Sequence, residues 1–579
     1  MRRSLVSTLI ISAAAGCVLL PGIGAAPLWE EDEPKNAACS LAMLDSGDWI
    51  VPTFNGELRV EKPPLVNWIQ LAGISLLGRN EAGVRIGSVV LTVGTCLLSG
   101  WLGRLLAGPS VGLLTGLIMA SCVWTAIGGR AATPDAPLVF CTTLAATIFA
   151  HGLRHRPTEP LSLGHATGIG LACGLAILAK GPVGLVLPLV SFAACRWCLD
   201  RGDSAGWLAR IGTASAATRP LLSGGVALAV ALPWYLLVSI KTGGRWLEEF
   251  FFVHNVGRFA APMEGHDGSL AYYPLVLAVG LFPWSLVILA VPLHAVFLWK
   301  TTPTTSERRL PLAFAGCWAA AWVGAFSLAG TKLPGYVWPA YPGLALLTAM
   351  YLADWLDGRT GWEKSLWRRL SPAAVMHVGL GSVALVGGGF VVGLPLVARR
   401  FAPGQEWLGL IGLVPIAAAG LAAVAERYGQ RRRCLAILAS SAVLLLALLG
   451  GVAAVRLARH QGTASLLAAV PPSSRPGCWA GLHPISPSLV FYTGAEVRSL
   501  PDAAACRDHL LTDPAARLVI RAARLGEILP QLPSDCRLLS LKPPSFDPAL
   551  AIIGRTGRPP AGTLAQQPPA PSQVPLERF

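Results

Sequence analysis

Side chains able to move a group between polar substrates occur in this chain as a few tight motifs separated by long apolar runs. They are Asp32-Glu33, Glu61-Lys62, Asp135, Lys180, His254, Arg258, His266, Lys332 and Tyr336. A carboxylate can accept a proton from an attacking group or orient it. Lysine and arginine can hold a phosphate and offset the charge that grows on it as it leaves. A glutamate with a histidine can ligate a divalent cation, zinc or magnesium or manganese. Each has a plainer use as well. Asp32 could open a helix ahead of Pro34, Asp135 could cap one, His266 could sit in a turn, and Arg258 and Lys332 could anchor spans at an interface. What gives the set weight is whether the chain brings its members to one place.

Composition decides the medium. The chain is 53% hydrophobic and only 13% charged, with a mean hydropathy of +0.56, whereas soluble chains carry about 25% charged residues. Apolar stretches of about 18–25 residues recur, each long enough to cross a hydrocarbon core of roughly 30 Å. This describes a polytopic α-helical membrane protein. The net charge of +15 falls in short loops, where membrane orientation explains it and nucleic acid is not implied. The lone Cys195-Arg196-Trp197-Cys198 has no second pair at zinc-site spacing and carries little weight.

Thirteen spans follow from the apolar runs. The run Leu5 to Ile23, preceded by Arg2-Arg3, is longer than a signal-peptide core and reads as the first span, with the N-terminus in the cytoplasm. The second full span starts near Val84, after a short interfacial helix at Leu65 to Leu77. Further spans are expected at 111–127, 136–151, 163–178, 183–195, 221–240, 272–299, 310–328, 337–355, 373–397, 408–425 and 436–455. Clustered arginines fall mainly in the inner loops, Arg399-Arg400 being the exception. On this map every motif named above reaches the outer face. The loop 25–83 holds eight acidic residues between Glu30 and Glu61 and ends in Glu61-Lys62-Pro63-Pro64; 241–271 is the second long outer loop. Residues 1–456 form the membrane domain. Residues 457–556 read as a small outer α/β domain whose three cysteines, Cys478, Cys506 and Cys536, allow one disulfide at most. The Pro/Gln-rich 557–579 reads as disordered.

The motifs as a set resemble those of the bacterial lipid A aminoarabinose transferases, within the protein O-mannosyltransferase-like superfamily of GT-C membrane glycosyltransferases. The likeness runs through Trp29-Glu30-Glu31-Asp32-Glu33-Pro34, Ser46-Gly47-Asp48-Trp49, Glu61-Lys62-Pro63-Pro64-Leu65, Thr133-Pro134-Asp135, Lys180-Gly181-Pro182, His254-Asn255-Val256-Gly257-Arg258, Phe282-Pro283-Trp284 and Lys332-Leu333-Pro334-Gly335-Tyr336. It implies a GT-C fold that takes a sugar from a polyprenyl phosphate and places it on lipid A or another periplasmic acceptor. By the same likeness Asp32, with Glu33 beside it, and Asp135 are the catalytic acids. Lys62, Arg258 and Tyr336, with Lys332, hold the donor phosphate. Glu61 with His254 or His266 matches a metal site of some members. Membrane lipids and the donor are the expected partners, and the chain is expected to work as a monomer in the inner membrane. A transporter would instead set polar groups at the midplane on broken helices, and an assembly protein would place its working part in the tail.

Overall fold

The computed structural model describes the chain except Met1, Glu30, 201–205, Glu264, Thr304, 362–370, 461–462, 464–465, 468–469, 471–477, 483–484, 542–548 and 556–579. The segment expected to be disordered, 557–579, lies outside the described residues. The chain forms two compact units: Met1–Gln461 with Ser486–Gly494, and Gly462–Ile485 with Ala495–Phe579.

The first unit is a helical bundle. Its opening helices are α1 (Arg2–Leu19), α2 (Asp32–Ser46), α3 (Leu65–Leu77), α4 (Glu81–Ala107), α5 (Pro109–Ala120), α6 (Val123–Gly128), α7 (Asp135–His155), α8 (Leu163–Lys180), α9 (Val183–Leu199), α10 (Trp207–Ala217) and α11 (Pro220–Lys241). A two-residue hairpin, β1 (Thr53–Phe54) and β2 (Glu57–Leu58), lies in the first long loop. Local chemistry sets several ends. Asn80 caps α4 by accepting from the Gly83 amide at 2.9 Å, and Ser162 caps α8 through the His165 amide. Gly181 ends α8 with φ +83 and a Cβ there would lie 2.8 Å from the Phe250 ring, so both backbone and space call for glycine.

Among the described residues, eight helices are long and apolar enough to cross a membrane. They coincide with eight of the thirteen expected spans; α4, at 27 residues, is about 40 Å long. The remaining five are shorter or broken. α1 and α9 are shorter apolar helices, and the expected span at 111–127 is split between α5 and α6. The expected span 272–299 is split into Tyr272–Gly280, a 3₁₀ turn at Trp284–Val287 and Ala290–Thr301. These two breaks meet. The Val123 amide donates to the Phe282 carbonyl at 3.1 Å, and the Trp284 indole donates to Ser121 Oγ at 3.0 Å, so polar groups freed by one break satisfy the other. At 337–355 the first turns are 3₁₀ (Pro334–Ala340) and the α-helix begins at Tyr341. Arg399 and Arg400 occupy the last turn of Pro372–Phe401, where the helix dipole favours cations.

The second unit is α/β, as expected. Its strands are β3 (Trp479–Leu482), β4 (Val497–Leu500), β5 (Arg517–Arg521), β6 (Cys536–Leu541) and β7 (Leu550–Arg555). The sheet order is β4-β3-β5-β7-β6. β3 is parallel to β4 and β5, and β7 is antiparallel to β5 and β6. Ala480, Leu518, Ile520, Ala551 and Ile553 build its core. Cys478, Cys506 and Cys536 are all free thiols.

Candidate active site

The first loop is held by a chain of charges. Glu33, at the start of α2, is 4% exposed. Both of its oxygens are engaged: Arg85 Nε and Nη2 donate to it at 2.9 and 2.7 Å, and the Trp29 and Ala132 amides add 2.9 and 2.8 Å bonds. Arg85 also donates to the carbonyls of Ile23, Ala26 and Pro27. One turn on, Asn36 donates to the Ala132 carbonyl and accepts from Arg59. These bonds tie α2 to the 130–134 turn that leads into Asp135. The loop reaches the second outer loop through Trp246 Nε1 to the Arg59 carbonyl at 2.9 Å and through Lys241 to Asp48 at 2.9 Å.

The second loop supplies a π-helical stretch, Glu249–Gly257, whose wider turn is a geometry found often at functional sites. It is laced to residues 330–332. Gly330 donates to the Phe259 carbonyl, Thr331 to that of Arg258 and Lys332 to that of His266.

Where these pieces meet lies a cavity of about 220 Å³. Glu61, Lys62, Lys180, His254, Arg258 and Tyr336 line it on the polar side, and Val183, Val186, Leu187 and Phe326 are part of its apolar wall. Lys180 pairs with Asp135, and its Nζ sits 4.8 Å from the centre of the Tyr336 ring. Gly335 backs directly onto the Asp135 carboxylate. Lys62 stands close enough to Asp32, Asp135, Lys180 and Arg258 for each to act on its charge. Burial first, then Lys180 and Arg258, pull its pKa down to about 8 against the two carboxylates. Glu61 behaves oppositely. Burial would raise it, but Arg59 at 3.2 Å and Lys35 at 2.5 Å hold its carboxyl at about 2.

The structure therefore gathers Asp32, Glu61, Lys62, Asp135, His254, Arg258 and Tyr336. It does not bring Glu33, Lys332 or His266 to the cavity. Glu33 is used by Arg85. Lys332, 7% exposed, donates its Nζ to the Ala329 carbonyl at 2.7 Å. His266 meets Lys332 through its backbone carbonyl. A divalent cation fits poorly, because both Glu61 oxygens already face cations, and among the described residues no three His, Cys, Asp or Glu side chains converge on one point. Residues not picked out from sequence are Lys35, Arg59 and Arg85. The sequence puts Lys180 among the outer-face cations able to hold a phosphate but gives it no carboxylate partner. A lysine ending a long apolar run needs a counter-charge at membrane depth, and that signal could have joined it to Asp135.

A family model described as dolichyl-phosphate-mannose-protein mannosyltransferase matches residues 29–247. The undecaprenyl phosphate-alpha-4-amino-4-deoxy-L-arabinose arabinosyl transferase of Pseudomonas aeruginosa PAO1 is 32% identical over 448 residues, covering 77% of this chain and 75% of that protein. Its namesake from Pectobacterium carotovorum is 30% identical over 452 residues, with the same shares covered. The crystal structure of ArnT from Cupriavidus metallidurans bound to undecaprenyl phosphate matches with a TM-score of 0.71 at 20% identity, over 95% of this chain and 97% of that one. The fold, with its charged cavity at the loop ends of the spans, is that of a polytopic membrane glycosyltransferase of the GT-C type. The chain belongs to the family of the undecaprenyl phosphate-alpha-4-amino-4-deoxy-L-arabinose arabinosyl transferases.

Proposed function

We propose that this protein transfers a pentose of the aminoarabinose type from an undecaprenyl-phosphate-linked donor to a lipid A-type acceptor, at the periplasmic face of the bacterial inner membrane. The names of its relatives supply the sugar and the donor. The observation that carries the reading is the convergence of Lys62, Lys180, Arg258 and Tyr336 on a cavity whose other wall is apolar. A polyprenyl tail would lie against Val183, Val186, Leu187 and Phe326, bringing its phosphate to the cations. The sugar would then face Asp32 and Asp135. As the acceptor oxygen bonds to the anomeric carbon, the bond from that carbon to the phosphate oxygen breaks. The electron pair leaves on the polyprenyl phosphate, whose added charge the cations offset. An acceptor phosphate is already ionised at neutral pH, so the carboxylates need only orient the sugar and acceptor; a hydroxyl acceptor would need one of them as base.

In this reading Glu33 positions α2 and is not catalytic, Lys332 and His266 stand outside the clamp, and His254 contributes to the cavity wall. No step is routed through a metal. Loops 25–83 and 241–271 and the second unit face the periplasm, and the chain acts as a monomer. The test is twofold. The lipid extracted from the purified protein should have the mass of an undecaprenyl phosphate or its pentosyl derivative. Asp32→Asn and Asp135→Asn should keep thermal stability near wild type while transfer falls, by about 100- to 10,000-fold where a base is lost. Normal turnover in both variants, or a bound lipid of another class, refutes the reading.

A further inference from the structure

The short helix Pro487–Thr493 comes late in the chain, after the last membrane helix, yet it belongs to the first compact unit. Ser486 caps it through the Leu489 amide, and Gly494 ends it with φ +64. It buries Ser488, Leu489, Val490 and Phe491 and packs against α2. Its Tyr492 reaches two distant parts of the chain. The phenol accepts from the Leu28 amide at 2.9 Å and donates to Glu81 Oε1 at 3.0 Å.

Those two partners sit at a junction. Glu81 opens α4, one turn before Arg85, and Arg85 grips the carbonyls of Ile23, Ala26 and Pro27 and both oxygens of Glu33. Leu28 and Trp29 are consecutive, and their amides are held by Tyr492 and Glu33 respectively. The backbone entering α2 is thus pinned at adjacent residues just before Asp32. Glu33 extends the same network to Ala132 and so toward Asp135. A phenol suits this junction because it accepts and donates at once, bridging a backbone amide to a carboxylate on a different helix.

We propose that Tyr492 is a positioning residue for the transfer reaction: it clasps the entry to α2 and thereby sets where Asp32 stands, touching neither donor nor acceptor. The inference rests on the functional reading above. It makes a segment beyond the spans part of the active machinery.

The test uses the full-length protein in detergent micelles. Tyr492→Phe keeps the ring and removes both bonds. It should lower kcat by at least about tenfold, inside the ~100-fold that a 1 Å misplacement can cost. Donor KM should stay within about twofold, because the phosphate clamp is untouched. Hydrogen exchange of the 28–35 amides should quicken about tenfold while α7 and α8 keep their protection. Glu81→Gln retains the accepting oxygen and should stay within about twofold of wild type; Glu81→Ala should fall with Tyr492→Phe, and the double variant no lower. An unchanged kcat in Tyr492→Phe, a donor KM that rises in step with the loss, or faster exchange throughout the spans overturns the proposal. Should the wild type transfer no sugar, the functional reading fails, and the exchange contrast alone decides whether Tyr492 holds this entry.

Discussion

Lys62 is where the opposing charges of the cavity act on one another. Burial and the two neighbouring cations bring its pKa to about 8, so it loses its proton progressively as pH rises through that value. A phosphodiester keeps its single negative charge across this range, so the donor should bind more weakly above pH 8, by up to about tenfold per pH unit for one coupled proton, and evenly below pH 7. Lys62→Arg keeps its charge throughout and should remove the alkaline limb. Measuring the donor dissociation constant between about pH 6.5 and 9.5 checks this, and a pH-independent wild type would dissociate Lys62 from the phosphate. Without donor the sign is set by folding. Between about 8 and the ordinary 10.5 the unfolded chain holds the proton that the folded one has lost, so stability should rise with pH across that window. Glu61 is the reverse case. Held at about 2 by Arg59 and Lys35, it lends stability that is complete above its ordinary 4.5 and lost as pH falls toward 2, and it stays ionised wherever the enzyme works.

Elements bring these residues together, and much of that was legible before the structure. The eight continuous spans were readable because an unbroken apolar run has few alternatives in lipid. The breaks at Ser121-Cys122 and Pro283 were not, because each is satisfied by the other across the bundle and neither run shows its partner. The same holds at the site. Charge types and the outer loops could be read, but the use of Glu33 by Arg85, of Glu61 by Lys35 and of Asp135 by Lys180 depends on which helices meet. Close backbone approach is likewise invisible until the loops are seen to touch. At Gly330 a Cβ would lie 2.7–2.9 Å from the Ala261 backbone, which cannot swing aside as a side chain can. Gly330→Ala should therefore part the 258–261 turn from 330–332, shift Arg258, lower stability by about 1–3 kcal/mol and weaken donor binding. Gly316, on the helix Arg309–Leu328, meets nothing within 4 Å, and Gly316→Ala should be neutral or stabilising by up to about 1 kcal/mol. Equal effects in thermal melts and donor titrations would show that the close approach is unimportant.

For the whole molecule the decisive property is sidedness, since a cavity at the loop ends of the spans works only if it faces the compartment that holds its substrates. Helix polarity makes the claim specific. The N-terminus of α7 and the C-terminus of α8 bring Asp135 and Lys180 together, so the opposite ends of the same helices, with Arg154, Arg156 and Ser162, must share the other face. Arginine-rich ends belong in the cytoplasm, which leaves the cavity outside. Glu57 and Thr158 are exposed residues of the two faces, one at the start of β2 in the first loop and one beyond α7. With the exposed Cys17 and Cys478 replaced by serine, an impermeant thiol reagent applied to intact spheroplasts should label Glu57→Cys and spare Thr158→Cys, and lysis should make both reactive. The reverse pattern would turn the cavity toward the cytoplasm and away from any periplasmic acceptor. Labelling of both before lysis, in spheroplasts that still exclude the reagent, would mean that α7 does not cross the membrane.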